Sequence, residues 1–230
     1  MRDTEREKQL AAEAAAELVE DGMRVGLGTG STVAYLLPAL AARELELRCV
    51  STSPATEDAA RELGIAVESF RGPDALSRLD IAIDGADQVA PSGWLVKGGG
   101  AAHTREKAVA AAAERFVVIV SSDKLVERLT APVPVELLEF GLAATLSRLR
   151  SVRLRDVARS PDGGVIADFT GAIEDPAQLA ARLSGAVGVV EHGLFPPGLV
   201  SEVIAARGDQ VQRIPVAHGR EPDGLPTVNG

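Results

Sequence analysis

The chain is poor in the side chains on which metal, redox and base-stacking chemistry depend. One cysteine, Cys49, stands among 230 residues, so no internal disulfide forms and a reducing compartment suits the protein. The three histidines, His103, His192 and His218, are scattered and share no metal-ligand spacing. Aromatic residues make up 3%, which leaves little surface for stacking on bases. Positive charge is also scarce: 24 Lys and Arg against 33 Asp and Glu give a net charge of −9. That balance argues against nucleic acid or an anionic membrane as partner. No apolar run is long enough to span a bilayer, and the one at Ala11–Ala16 is broken by Glu13. The first residues, Met1-Arg2-Asp3-Thr4-Glu5-Arg6-Glu7-Lys8, are charged and do not read as a signal peptide. A cytoplasmic protein is expected. Hydrophobic residues reach 46%, enough to bury a core in one large domain or in one plus a small one.

What is present is organised around Val25-Gly26-Leu27-Gly28-Thr29-Gly30-Ser31-Thr32 and the apolar Val33-Ala34-Tyr35-Leu36-Leu37 that follows. This reads as strand, tight loop and helix. Backbone N–H groups at such a helix start, with the hydroxyls of Thr29, Ser31 and Thr32, suit an anion such as phosphate. The dinucleotide fingerprint needs glycine where Ser31 stands, and the P-loop needs a lysine that does not follow Gly30. The loop therefore suggests phosphate without a nucleotide, and a plain strand-to-helix turn has the same pattern.

Residues 4 to 20 read as an amphipathic helix, with Leu10, Ala14 and Leu18 at helical spacing. A strand over Arg24–Gly28, a helix from Val33 to Arg43 containing Pro38, and a strand over Leu47–Thr52 follow. A Ser53-capped helix to Leu63 and a short strand at Ile65–Val67 come next. Strands at Leu79–Asp84, Leu95–Val96 and Phe116–Val120 flank a helix over Thr104–Ala113. This alternation predicts an α/β fold, a mostly parallel, Rossmann-like sheet with helices on both faces. Ala131-Pro132-Val133-Pro134 marks the entry to a small α+β lobe over residues 132–198. There a helix is expected from Glu136 to Arg150, strands at Leu154–Val157 and Val165–Phe169, a helix from Asp175 to Leu183, and a strand over Gly188–Phe195. Strands at Ser201–Ala206 and Val211–Val216 return to the large domain, formed by residues 1–131 and 199–230. The end, from His218, is expected to fray.

In parallel sheets, ligands collect where strand C-termini open into loops. Four such places carry chemistry. The glycine loop is the first. Asp84-Gly85-Ala86-Asp87 brings two carboxylates after an apolar strand, a pattern that serves proton transfer, sugar hydroxyls, metals or a mere turn. Lys97 precedes Gly98, Gly99 and Gly100, where an ammonium beside permissive backbone can steady a developing negative charge. Glu106 falls in the first turn of the next helix, as a general base or as a charge suited to the helix end, with Thr104 as its cap. Lys124, after a buried strand, adds positive charge, and Lys8 is a weaker candidate of that kind.

Four segments occur in order: Gly26–Thr32, Asp84–Asp87, Lys97–Lys107 and Ser122–Lys124. Together they resemble the ribose-5-phosphate isomerase A family, from about residue 8 to residue 135 and more loosely through Asp162–Asp168 and Val189–Phe195. The resemblance implies that Thr29, Gly30, Ser31 and Thr32 bind phosphate. It implies that Asp84, Gly85, Ala86, Asp87, Lys97, Gly98, Gly99, Gly100 and Lys124 bind substrate, and that Glu106 is the catalytic base. With Asp84, Asp87 and Lys97 as further catalytic groups, ribose 5-phosphate and ribulose 5-phosphate would interconvert through a cis-enediolate. No metal, no cofactor and a homodimer or homotetramer are implied, with subunit contacts in the small lobe, and a place in the pentose phosphate pathway. Two departures stand out. Gln88 replaces the usual Glu after the second Asp, removing a negative charge near the site, and the stretch from Arg148 to Gly164 is short. A sugar-phosphate sensor of the kind found in transcription regulators needs the phosphate loop but neither Glu106 nor Lys97, and normally adds a DNA-binding helix-turn-helix, for which there is no basic segment here. An isomerase of another phosphorylated aldose has the same sequence signature.

Overall fold

The first helix is shorter than its sequence pattern. In the computed structural model, which describes residues 4–216, α1 spans Thr4–Ala16 rather than reaching residue 20. The Arg43 guanidinium donates to the carbonyls of Ala16 and Val19 and so satisfies acceptors at and just past the helix end without a further helical turn. The segment His218–Gly230, expected to fray, lies outside the described residues.

β1 (Arg24–Leu27), α2 (Val33–Ala41), β2 (Arg48–Ser51) and α3 (Pro54–Glu62) follow α1. Pro38 lies inside α2 at an exposed position, so the Ala34 carbonyl that loses its helical donor is on the solvent side. Ser53 caps α3 by accepting from the Thr56 N–H at 3.2 Å. Ile65–Val67 forms no strand; Val67 makes only an isolated bridge with Cys49. Next come β3 (Leu79–Asp84), β4 (Gln88–Val89), β5 (Leu95–Val96), α4 (His103–Ala112) and β6 (Ala113–Ser121). The remaining elements are β7 (Val133–Leu137), α5 (Leu142–Arg148), β8 (Val152–Leu154), β9 (Val165–Phe169), α6 (Pro176–Ser184), β10 (Val189–His192), β11 (Leu194–Phe195), β12 (Glu202–Arg207) and β13 (Gln210–Pro215).

The main sheet has the order β13-β12-β6-β3-β1-β2, parallel throughout except for β13 at its edge. Both faces are covered, which is why β6 is apolar at every position from Phe116 to Val120. Val117 and Ile119 pack with α1 and α2, while Phe116, Val118 and Val120 pack on the face that holds Val109 and Ala110 of α4. The chain passes from β1 outward to β2 and then back across to β3. The reversal leaves a crevice beyond the C-terminal ends of β1 and β3. Gly28 and Asp84 stand at that point.

Between Val133 and His192 the elements run strand, helix, strand, strand, helix, strand, in an antiparallel sheet of order β10-β7-β9-β8. This is the split βαβ arrangement. Its first strand, β7, overturns the helix expected from Glu136. Glu136 is buried, and its carboxylate accepts the hydroxyls of Thr104 and Ser160. These long-range partners outweigh the helical spacing of the leucines, and Leu138 is left 52% exposed. The helix begins only at Leu142, after Gly141 turns the chain at φ 73°. β8 also lies earlier than Leu154–Val157.

The single strand expected over Gly188–Phe195 is divided at Gly193. There the chain leaves β7 and joins a three-stranded sheet of order β11-β5-β4. Gly193 N–H donates to Pro134 O at 2.7 Å, and Gly193 O accepts from Lys97 N–H at 2.9 Å. A Cβ at Gly193 would overlap the Lys97 carbonyl. The close crossing thereby holds the backbone of Lys97.

Candidate functional site

Lys97 is the centre of the site. Its ammonium is almost fully buried and lies 2.9 Å from Asp84 Oδ2 and 3.1 Å from Glu106 Oε2, and donates to Gly85 O at 2.6 Å. Three elements converge here: β3 delivers Asp84 at its last residue, the segment after β5 delivers Lys97, and the first turn of α4 delivers Glu106. The other oxygen of Asp84 accepts from Thr29 N–H at 3.0 Å and Gly85 N–H at 2.7 Å. Among the described residues, Asp84 Oδ2 and Glu106 Oε2 have no neighbouring donor besides the Lys97 ammonium.

Burial pushes the Glu106 carboxyl up to about 7; the Lys97 charge works against that shift, and the charges of Asp84 and Asp87 add to it. Burial also raises the Asp84 carboxyl, opposed by Lys97 and by the two backbone donors. Burial alone would lower the Lys97 ammonium, but Asp84 and Glu106 outweigh it and hold the group charged.

Gly28 makes this packing possible. A Cβ there would overlap the Asp84 carboxyl. Gly28→Ala is therefore expected to cost about 1–3 kcal/mol through overpacking and to lower kcat as Asp84 and Lys97 shift. A thermal melt and a turnover assay check this; an unchanged Tm with unchanged kcat would show that Asp84 moves freely.

Above the buried triad opens a cleft of about 190 Å³. Thr29, Gly30, Ser31 and Thr32 form one wall, Gly85, Ala86 and Asp87 another, and Lys97 to Gly100 a third, with Glu106, Lys8 and Lys124 also facing in. Asp84 does not line it: one of its oxygens is taken by the N–H groups of Thr29 and Gly85 and the other faces the Lys97 ammonium. Asp87 is exposed and accepts from Gly99 N–H at 2.8 Å. Thr29 lines the cleft, but its hydroxyl is shared with Thr52 at 2.7 Å and Thr56 at 3.3 Å. The hydroxyls and N–H groups of Ser31 and Thr32 have no hydrogen-bond partner among the described residues. Thr32 stands at the start of α2 without capping it through its side chain. With two lysines nearby, this end of the cleft is built for an anion. Thr104 does not cap α4; Ala102 holds that place, and the Thr104 hydroxyl goes to Glu136.

Gln88 does not face the cleft. Its amide donates to Thr130 O at 2.9 Å and accepts from Thr130 N–H at 2.8 Å, a reciprocal pair that a glutamate could not make. Two supports were not anticipated from sequence. Glu7 is buried and accepts from Ser122 N–H and Gly208 N–H, each at 2.8 Å, fixing the turn that carries Lys124 beside its own neighbour Lys8. Its place on the apolar face of α1, one turn before Ala11, was the available signal. Arg155 reaches the carbonyls of Gly98 and Gly99, with no signal in the sequence to link positions so far apart.

Residues 48–210 match the model of the family described as ribose 5-phosphate isomerase A (phosphoriboisomerase A). A ribose-5-phosphate isomerase A of Caulobacter sp. (strain K31) is 48% identical over 204 residues, covering 82% of this chain and 89% of its own. The crystal structure of ribose 5 phosphate isomerase A from Neisseria gonorrhoeae has a TM-score of 0.87 at 32% identity, covering 94% of this chain and 99% of that one. A D-ribose-5-phosphate isomerase in complex with phospho-erythronic acid has a TM-score of 0.85 at 33% identity, with 93% and 99% covered. Sequence and fold thus agree over nearly the whole chain, which belongs to the ribose 5-phosphate isomerase A family and is an isomerase.

Proposed function

We propose that this chain interconverts D-ribose 5-phosphate and D-ribulose 5-phosphate through a cis-enediolate, with Glu106 as the base. The observation that carries this reading is the Lys97 ammonium lying between two buried carboxylates, one of them Glu106 with a carboxyl near 7. A carboxylate poised near neutrality both takes and returns a proton efficiently. The phosphate occupies the end of the cleft formed by Ser31, Thr32, Lys8 and Lys124. A relative solved with phospho-erythronic acid supports a phosphorylated polyol acid as a fitting ligand.

In the open-chain aldose, Glu106 removes the proton from C2. The electron pair forms the C1–C2 double bond, and charge gathers on O1. Lys97 and the N–H of Gly100, free among the described residues, steady that charge. Glu106 returns the proton to C1, and the ketone forms at C2. Asp87, the carboxylate of the pair that faces the cleft, orients the hydroxyls and carries the proton between O1 and O2. Asp84 holds Lys97 charged and in place. The ammonium already stands between the carboxylates where a divalent ion would otherwise neutralise them, which supports a metal-independent reaction.

The test is an assay of ribulose 5-phosphate formation from ribose 5-phosphate, with and without a chelator. Equal turnover in both supports the reading. Activity lost to the chelator and restored by Mg or Zn would overturn the metal-free step. An enzyme that isomerises a different phosphorylated aldose faster would reassign the substrate.

A further inference from the structure

Arg155 follows β8 and lies outside the cleft, yet one of its terminal nitrogens reaches Gly98 O at 3.3 Å and Gly99 O at 3.2 Å. We propose that Arg155 is a positioning residue for the isomerisation: it fixes the two peptide planes of Gly98-Gly99-Gly100 so that Gly99 N–H holds Asp87 and Gly100 N–H serves the cleft. The proposal rests on the isomerase reading above.

Gly98 to Ala101 form a β-turn, closed by Ala101 N–H to Gly98 O at 3.0 Å. The central peptide of such a turn has two orientations, which distinguish types I and II. With Gly99 and Gly100 as the central residues, no Cβ selects between them. The loop would thus exchange between two faces unless something outside it held a carbonyl. Arg155 does so. In a trans peptide the C=O and the following N–H point in opposite directions. Holding Gly98 O therefore directs Gly99 N–H away from Arg155, and that N–H indeed meets Asp87 at 2.8 Å. Holding Gly99 O directs Gly100 N–H to the side on which Gly100 lines the cleft. Among the described residues that N–H has no acceptor.

Arg155 is itself immobilised. Its Nε donates to Asp168 Oδ2 at 2.9 Å and a terminal nitrogen donates to Asp168 Oδ1, a two-point fork from the neighbouring strand β9. The guanidinium thus spans a carboxylate on one side and two carbonyls on the other. Lysine has no such geometry. A bond that only tied the two sheets together would affect stability. One that aims donors at the enediolate affects the intermediate more than the bound substrate.

The test compares wild type, Glu106→Gln, Arg155→Met and Arg155→Lys, reading kcat and KM for ribose 5-phosphate and Ki for phospho-erythronic acid. The carboxylate of that acid places two oxygens and a negative charge where the enediolate would carry them. Arg155→Met is expected to lower kcat by about tenfold or more, with KM within about threefold and Ki raised by about tenfold. Arg155→Lys is expected to recover only part of the loss. Unchanged kcat and Ki would overturn the proposal, as would KM and Ki rising together with kcat intact. If Arg155→Met does not fold, Asp168→Asn, which loosens the fork, is read by the same criteria. An inactive wild type would remove the isomerase reading; an active wild type indifferent to Arg155 removes only this one.

Discussion

Glutamine at position 106 is expected to lower kcat by roughly a thousandfold while KM for ribose 5-phosphate changes little. The replacement keeps the shape of the side chain, and its carbonyl still accepts from Lys97. Asp84, 2.9 Å from the same ammonium, keeps that ammonium charged. What is lost is the ability to take the C2 proton, a step worth about 10²–10⁴-fold in comparable enzymes. The pH dependence supplies a second reading of the same group. The base must be ionised to accept a proton, and burial pushes its carboxyl up to about 7. In wild type kcat/KM should therefore fall about tenfold per pH unit below that value and level off above it. The glutamine variant should show no such limb in its residual activity. Near-normal turnover in Glu106→Gln would show that another group is the base.

Lys97→Met is expected to harm both activity and stability. Methionine fills the space of the lysine stem and removes the charge. Asp84 and Glu106 are then left buried, facing each other without a cation. Their repulsion raises the Glu106 carboxyl further, so the base is protonated at neutral pH. The developing enediolate also loses its ammonium, and a single donor to a developing oxyanion is worth about 10²–10³-fold. Together kcat/KM should fall by about a thousandfold or more. Breaking a buried ion pair by removing one partner costs about 3–5 kcal/mol. That cost has a direction in pH. A carboxyl whose folded-state pKa is raised contributes stability below its unfolded pKa and loses it as pH rises through the folded one. The Tm deficit of Lys97→Met relative to wild type should therefore be small near pH 5 and large near pH 8. A deficit that does not vary with pH, with kinetics close to wild type, would return Lys97 to the role of a bystander.

Much of the architecture is visible in the order of residues because it rests on local physics. The apolar run of β6 and the alternation of strands and helices announce a parallel sheet covered on both faces. The glycine loop after β1, the aspartates after β3 and the lysine before three glycines each follow a strand or extended segment. The parallel sheet puts the first two endings on one edge, so their meeting followed from topology; Lys97 follows β5 of the antiparallel sheet β11-β5-β4, and only the close crossing at Gly193 fixes its backbone. Where long-range partners compete with local preference, the pattern misled. The leucines at 138, 142, 146 and 149 have helical spacing, but Glu136 found its hydroxyl partners in Thr104 and Ser160 and became part of a strand. The α1 pattern continues past Ala16, but Arg43, far along the chain, ends the helix there.

The sequence by itself determined the sheet, the family and the list of groups available for chemistry, because these depend on periodicity, glycine and strand endings. The tertiary structure decided how those groups are used. It turned Asp84 beneath Lys97 and left Asp87 in the cleft, since only folding sets which carboxylate the two backbone N–H groups and the ammonium claim. It brought the Glu106 carboxyl near neutrality, because burial is a property of the packed chain. It placed Arg155 against Gly98 and Gly99, a contact across more than fifty residues that no local pattern encodes.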